Sequence, residues 1–358
     1  MSRSAAETAA AGTPVDDRGR KPANGVARWL RTRAAWILIL DIVLVGIFSA
    51  LSTGHVFWSA ANAQSLLLSV SQITLLAVGL AMMLGAGIFD LSLGANLVVS
   101  SVVGAIVMRS FQSNASNGSY HDTTLAIVLG LVACIATGVV FGAINGLLIA
   151  FGNINSLIAT LGTLGIGTGI ALLVTGGSDV GSMPVALQTN IGLNSVGIVP
   201  IPAIAALVVA VLLWLIVRYG RYGLRVQAIG SSRPAAERAG IRVRGYLLSL
   251  TVLGGALAGI AGFIDLARFG STAVSGHAND ALGAVTAAVI GGTLLEGGRI
   301  SITGALWGAG LSVILQTGLV ILGVSAFWQL IVVGAVLLAA VLLDRFAAIR
   351  RTKSVKSD

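Results

Sequence analysis

Between Asp41 and Arg218 the chain carries one basic residue, Arg109. That interval is filled by long apolar runs, and a run of about 20 apolar residues is the length that crosses a bilayer as a helix. Composition agrees: 56% of residues are hydrophobic and 10% charged, against roughly 45–50% and 25% in soluble proteins. The sequence therefore predicts an all-α membrane protein, a polytopic helical bundle. The 47 glycines suit membrane helices whose backbones approach closely.

About ten spans are predicted, over residues 35–51, 65–84, 88–108, 125–150, 157–175, 199–217, 246–267, 281–295, 302–322 and 326–343. The eighth is short and Gly-rich, and either spans or re-enters. Basic residues test the count, because they stay on the cytoplasmic side of spans. Arg28, Arg31 and Arg33 precede the first run, seven arginines fall from Arg218 to Arg244, and Arg345, Arg350, Arg351, Lys353 and Lys356 follow the last. Six spans and then four return the chain to one side each time, so both termini are expected in the cytoplasm. Arg109 and Arg268 are exceptions at outer ends. Residues 1–33 read as a disordered cytoplasmic tail, 34–345 as the transmembrane domain with a cytoplasmic loop over 218–245, and 346–358 as a basic tail. A signal peptide is the weaker reading of the first run, which is long, contains Asp41 and lacks a convincing cleavage site.

Several chemistries are excluded. The net charge of +9 sits in the tails and the central loop, which is a topology signal and not a nucleic-acid footprint. No Lys lies between Lys21 and Lys353, so the membrane region holds no phosphate loop ending in Gly-Lys. There is no HExxH, and Cys134 is the single cysteine, so neither a disulfide within the chain nor a Cys-based metal site is available. His55, His121 and His277 all fall in predicted outer loops. Acids in or near spans invite functional readings. Asp41 is expected to reach the inner interface, and Asp265 to pair locally with Arg268. Glu296 and Arg299 flank an inner turn at Gly297–Gly298. Asp90 lies between Gly85-Ala86-Gly87 and Leu91-Ser92-Leu93-Gly94, where a helix is expected to break and restart. Capping of free N–H groups, or a role in the pathway or its gating, both fit Asp90 and its neighbour Ser92.

Three GxxxG pairs, Gly142/Gly146, Gly255/Gly259 and Gly304/Gly308, predict close helix packing. A faint echo links Gly85…Asp90…Ser92…Gly94 to Gly291…Glu296…Ser301…Gly304, but the spacing differs. The central loop has its own pattern. Ser231 or Ser232 is placed to cap a helix, Pro234 fits its first turn and Gly240 its end. Ala235, Ala236 and Ala239 give a slim apolar face beside Glu237 and Arg238. So short a helix needs a surface to dock on, either the membrane or a cytoplasmic partner.

The loop resembles the coupling segment of ABC-importer permeases, in which Glu-Ala-Ala is followed three residues later by Gly. Here Ala235, Ala236 and Gly240 match, and Pro234 stands at the Glu position. More specifically, residues 80–345 resemble the ribose/xylose/arabinose-type permease subunits. The motifs are GIFDLSLGA (87–95), GAINGLLIAFGNINSLIATLGTL (142–164), ALLVTGG (171–177), RYGLRVQAIG (221–230), VIGGTLLEGGRISITGALWGA (289–309) and GVSAFWQ (323–329). Departures are Ile88-Phe89 before Asp90, Glu296, and Pro234. The resemblance implies a bacterial plasma-membrane permease that translocates a monosaccharide or related polyol. It implies an ABC ATPase partner carrying ATP and Mg, no cofactor in this chain, a periplasmic or lipid-anchored sugar-binding protein, and a second permease copy or paralogue. Ser232, Pro234, Ala235, Ala236, Glu237, Ala239 and Gly240 would contact the ATPase. Asn145, Asn153, Asn155, Ser156, Thr160 and Thr163 offer uncharged polar groups, each either helix–helix glue or a sugar contact. The competing reading is an ion-coupled secondary transporter of a small polar solute, which needs titrating groups near the midplane.

Overall fold

The computed structural model describes residues 33–114, 119–277 and 279–325, with isolated positions between 327 and 342. Both predicted tails, apart from Arg33, and eight of the 18 residues of the predicted tenth span lie outside the described residues. The helices are α1 (Arg33–Leu51), α2 (Ala60–Gly85), α3 (Leu93–Arg109), α4 (Thr123–Ala150), α5 (Ser156–Thr175), α6 (Ile201–Tyr219), α7 (Arg221–Ser231), α8 (Arg233–Arg238), α9 (Val243–Phe269), α10 (Asp280–Ile290) and α11 (Ile302–Ile321). Seven of these, α1, α2, α4, α5, α6, α9 and α11, are long and apolar enough to cross a membrane. In lipid every backbone group must be satisfied within the protein, so the helix ends are closed by side chains. Asp122 accepts from Leu125 N at 2.9 Å and Asn155 from Leu157 N at 2.9 Å. Gly176 and Gly270 end α5 and α9 in the left-handed conformation that glycine adopts without strain.

Helices α2 and α9 form the centre. In their apolar windows 78% and 67% of residues are buried, against 22–28% in α1, α4, α5 and α6, which leaves the latter four as the outer layer. Two of the predicted GxxxG pairs pack on each other here. A side chain at Gly255 would collide with the Gly138 carbonyl, and one at Gly142 with the Thr251 carbonyl, so α4 and α9 lie backbone to backbone. The third pair, Gly304 and Gly308, seats α11 on Gly291 and Ala287 of the α10 segment.

Two expectations, on Asp41 and the central loop, are corrected, and one reading left open is narrowed. The eighth run forms only the 11-residue α10, about 16 Å long, which is half of a roughly 30 Å hydrocarbon core. It stops because Gly291 and Gly292 turn the chain, with Gly292 at φ +92°. Asp41 does not reach an interface: it is 6% exposed, and its Oδ1 has no hydrogen-bond partner among the described residues. Gly310 of α11 makes room for it, since a Cβ there would lie 3.3 Å from Asp41 Oδ2. The central loop holds two helices, α7 and α8, where one was expected. Between helices, Gln112–Asn114 pairs with Ser119–Tyr120, and Ser195–Val196 with Val199–Pro200, as small antiparallel hairpins. They lie at the end of the bundle opposite α7 and α8.

Candidate functional site: a helix break between two cavities

The chain breaks between α2 and α3, as expected around Asp90. Gly87 takes φ +72°, and the stretch to Ser92 runs without helix. Two of its free N–H groups find hydroxyls on α5. Phe89 N donates to Ser156 Oγ at 3.1 Å and Leu91 N to Thr160 Oγ1 at 3.3 Å. Asp90 Oδ1 accepts from Ser92 N at 2.8 Å and from Ser92 Oγ at 2.5 Å. Asn145 Nδ2, from α4, donates to Ser92 Oγ at 2.8 Å and reaches Asp90 Oδ2 at 3.4 Å. Asp90, Ser92, Asn145 and Thr160 are all at most 2% exposed. Four of the five predicted pathway residues therefore converge on one junction, and Asp90 does cap a free N–H. The fifth, Asn155, stands apart as the N-cap of α5.

Two cavities flank this junction along α5. The one nearer the central loop, about 470 Å³, is lined by Gly87, Asn153, Asn155, Ser156 and Arg233, with Ile149 and Ile154. Polar groups dominate its wall. The one nearer the hairpins, about 310 Å³, lies against Leu91 and Gly94, with Thr168 of α5 and with Ser275 and His277 beyond α9. Phe89–Leu91 separates them. The arrangement offers a polar solute hydrogen-bonding groups on both sides of a closed constriction.

His277 was expected in an open outer loop and is instead 8% exposed. Its Nδ1 lies 2.7 Å from Asp280 Oδ2 and its Nε2 3.1 Å from Asp265 Oδ2. Burial works against the charged ring, yet hydrogen bonds and charge from both carboxylates raise its pKa from 6.5 to about 10, so it stays an imidazolium at neutral pH. Asp265 also accepts from Gln72 Nε2 at 3.0 Å. The expected Asp265–Arg268 contact does not form: Arg268 donates to Ser65 and Ser69 hydroxyls, both at 2.9 Å, and lies over the Phe269 ring. Sequence spacing placed Asp265 and Arg268 three apart, but gave no sign that the turn before α10 and helix α2 bring His277 and Gln72 to the carboxylate.

At the loop end, α8 has the caps the sequence gives it. Ser232 Oγ accepts from Ala235 N at 3.4 Å, and Gly240, at φ +78°, donates to Glu237 O at 2.9 Å. Ser232, Pro234, Ala235, Glu237, Ala239 and Gly240 are exposed. Ala236 is not: at 4% exposure it anchors α8 on the chain's own core, and so belongs to the inner face and not to a docking surface.

No solved structure matches the chain. It is 38% identical over 310 residues to the ribose import permease of Bacillus subtilis, covering 85% of this chain and 90% of that one. Over 327 residues it is 32% identical to the D-allose transport system permease of Escherichia coli K12, covering 91% and 95%. It is 29% identical over 332 residues to the galactose/methyl galactoside import permease of the same strain, covering 90% and 96%. A family described as the permease component of branched-chain amino acid transport systems matches residues 62–341. That stretch contains the helix break, both cavities and the central loop, and the chain belongs to this permease family.

Proposed function

We propose that the chain is the membrane subunit of an ATP-driven importer and carries a monosaccharide or related polyol. The observation that carries this is the pair of cavities on α5, separated by one hydrogen-bonded helix break. An uncharged polyhydroxyl solute needs such groups in series, and none that grips it as tightly as an ion pair. The family description names amino acid systems, whereas the named relatives import ribose, allose and galactose. The sugar reading follows those relatives and the polar lining of the loop-side cavity, in which Asn153, Asn155 and Ser156 are uncharged and Arg233 is the single charged side chain.

In this reading ten membrane segments, the eighth of them only half-helical, place both termini, α7 and α8 in the cytoplasm, and the hairpins outside. A partner ATPase holds ATP and Mg and docks on the exposed side of α8. A periplasmic or lipid-anchored binding protein delivers the sugar at the hairpin end. A second permease copy or paralogue covers the outer layer formed by α4, α5 and α6. ATP binding moves α8, and the break passes from closure on one side to closure on the other, a switch between discrete packings. Vesicles reconstituted with the permease, its ATPase and its binding protein should take up labelled sugar only with ATP. Uptake that persists without the ATPase, driven by an ion gradient, sinks the proposal.

A further inference from the structure

The last turn of α7 lies against two interruptions at once. One is the break after Gly85, and the other is the turn from Gly291 to Ser301 that links α10 to α11. These two are joined directly, Gly298 N donating to Gly85 O at 2.9 Å. Gly230 fits between them so closely that any Cβ there would collide with Gly85 O and Gly298 N. From the other side, a Cβ on Gly297 would lie 2.8 Å from Gly230 O. Three backbones thus meet with no side chain between them. Val226 and Ile229, both 0% exposed, fix α7 in this position.

One turn further on, Arg233 Nη2 donates to Gly87 O at 3.2 Å. Gly87 is the left-handed residue where the α2–α3 break begins, and its carbonyl is a backbone acceptor freed by that break. Arg233 also walls the loop-side cavity, opposite Asn153 and Asn155. The guanidinium therefore links the first turn of α8, the break and the cavity wall.

We infer that Gly230 and Arg233 are the positioning residues through which motion of the central loop reaches the two helix interruptions together. The inference rests on the import reading. Force applied to the exposed side of α8 reaches Gly87 through the Arg233 side chain, and Gly85 and Gly298 through the Gly230 backbone. The flanking helices α6 and α9 follow. A contiguous set of hydrogen bonds and close backbone contacts is the kind of element that transmits coupling. Gly230 lines neither cavity, and Arg233, which walls the loop-side one, acts in this scheme through its bond to Gly87 O.

The experiment uses the complete transporter in vesicles and compares Arg233→Gln, Arg233→Lys and Gly230→Ala, with Ala239→Arg as a control on the exposed side of α8. Cys134 is the chain's single cysteine and is buried, so Asn153→Cys adds one accessible thiol beside the loop-side cavity, readable with an impermeant maleimide. Arg233→Gln is expected to assemble and to hydrolyse ATP near the wild-type rate. Its uptake per ATP should fall roughly tenfold, the scale of one coupling free energy, and thiol labelling should lose its response to ATP. Arg233→Lys, which keeps a donor, should recover part of both. Ala239→Arg should fail earlier, at assembly. Should Gly230→Ala fail to fold, Arg233→Gln decides alone. Unchanged uptake per ATP in Arg233→Gln, or labelling that still follows ATP, overturns this inference and leaves the import reading standing. A wild-type complex with no ATP-driven uptake removes both.

Discussion

Asn145 Nδ2 stands 2.8 Å from Ser92 Oγ, so a side chain from the middle of α4 holds the restart of α3. The bond is enclosed, because both residues are 0% exposed. In such surroundings a hydrogen bond is stronger and its loss more costly than at a surface. The break is thus pinned by three neighbours, Asn145, Ser156 and Thr160, and any change in its shape must break or exchange those bonds.

Asn145→Leu should therefore loosen the junction. It removes the donor to Ser92 and leaves Asp90 with fewer partners, a loss of about 1–3 kcal/mol. A lower melting temperature of the purified permease, with uptake falling further than stability, is the expected result. A variant as stable as wild type would show the bond to be dispensable.

Asp90→Asn separates capping from charge. An amide oxygen still accepts from Ser92 N, so the fold and most transport should survive, whereas Asp90→Ala removes the acceptor and should cost about 1–2 kcal/mol. Uptake measured at matched protein levels settles the matter: if Asp90→Asn inserts normally but transports nothing, the carboxylate itself is required.

Ala239→Arg and Ala236→Arg should differ, although only three residues separate them. Ala239 is exposed, and its Arg variant should insert, keep its melting temperature and fail to retain the ATPase on co-purification. Ala236 is buried on the core, and an arginine there should destabilise the protein by on the order of 3 kcal/mol. Equal melting temperatures for the two variants would contradict the assignment of faces.

His277 gives a pH dependence of definite sign. Its pKa is raised in the folded protein from 6.5 to about 10. The stability it contributes is complete below pH 6.5 and is lost as pH rises towards 10. Wild-type protein should lose on the order of 1–3 kcal/mol over that window, and His277→Gln should show a flatter profile from a lower start. Parallel melting curves for the two proteins between pH 6 and 10 would rule this out.

What the sequence disclosed follows from the range of the physics involved. Apolar runs and Gly-Asp punctuation are local, so α1 to α6, α9 and α11 fall where hydropathy puts them, and the break at Asp90 falls where the glycines put it. The GxxxG pairs were legible because close packing leaves a spacing in each helix separately. Asp41 was misread because its burial depends on Gly310, far along the chain. The Asp265 partner was misread because a three-residue spacing favours a local contact that Gln72 and His277 then displaced. The echo between the two glycine-rich interruptions looked too weak to use, and the two prove to be neighbours joined by the Gly298–Gly85 bond.

The cluster at the hairpin end contains two cations, His277 and Arg268, and two carboxylates, Asp265 and Asp280. Its monopole is zero when all four are ionised. Seen from a Debye length away, these four groups contribute only short-range dipoles, so the cluster by itself neither concentrates ions nor repels them.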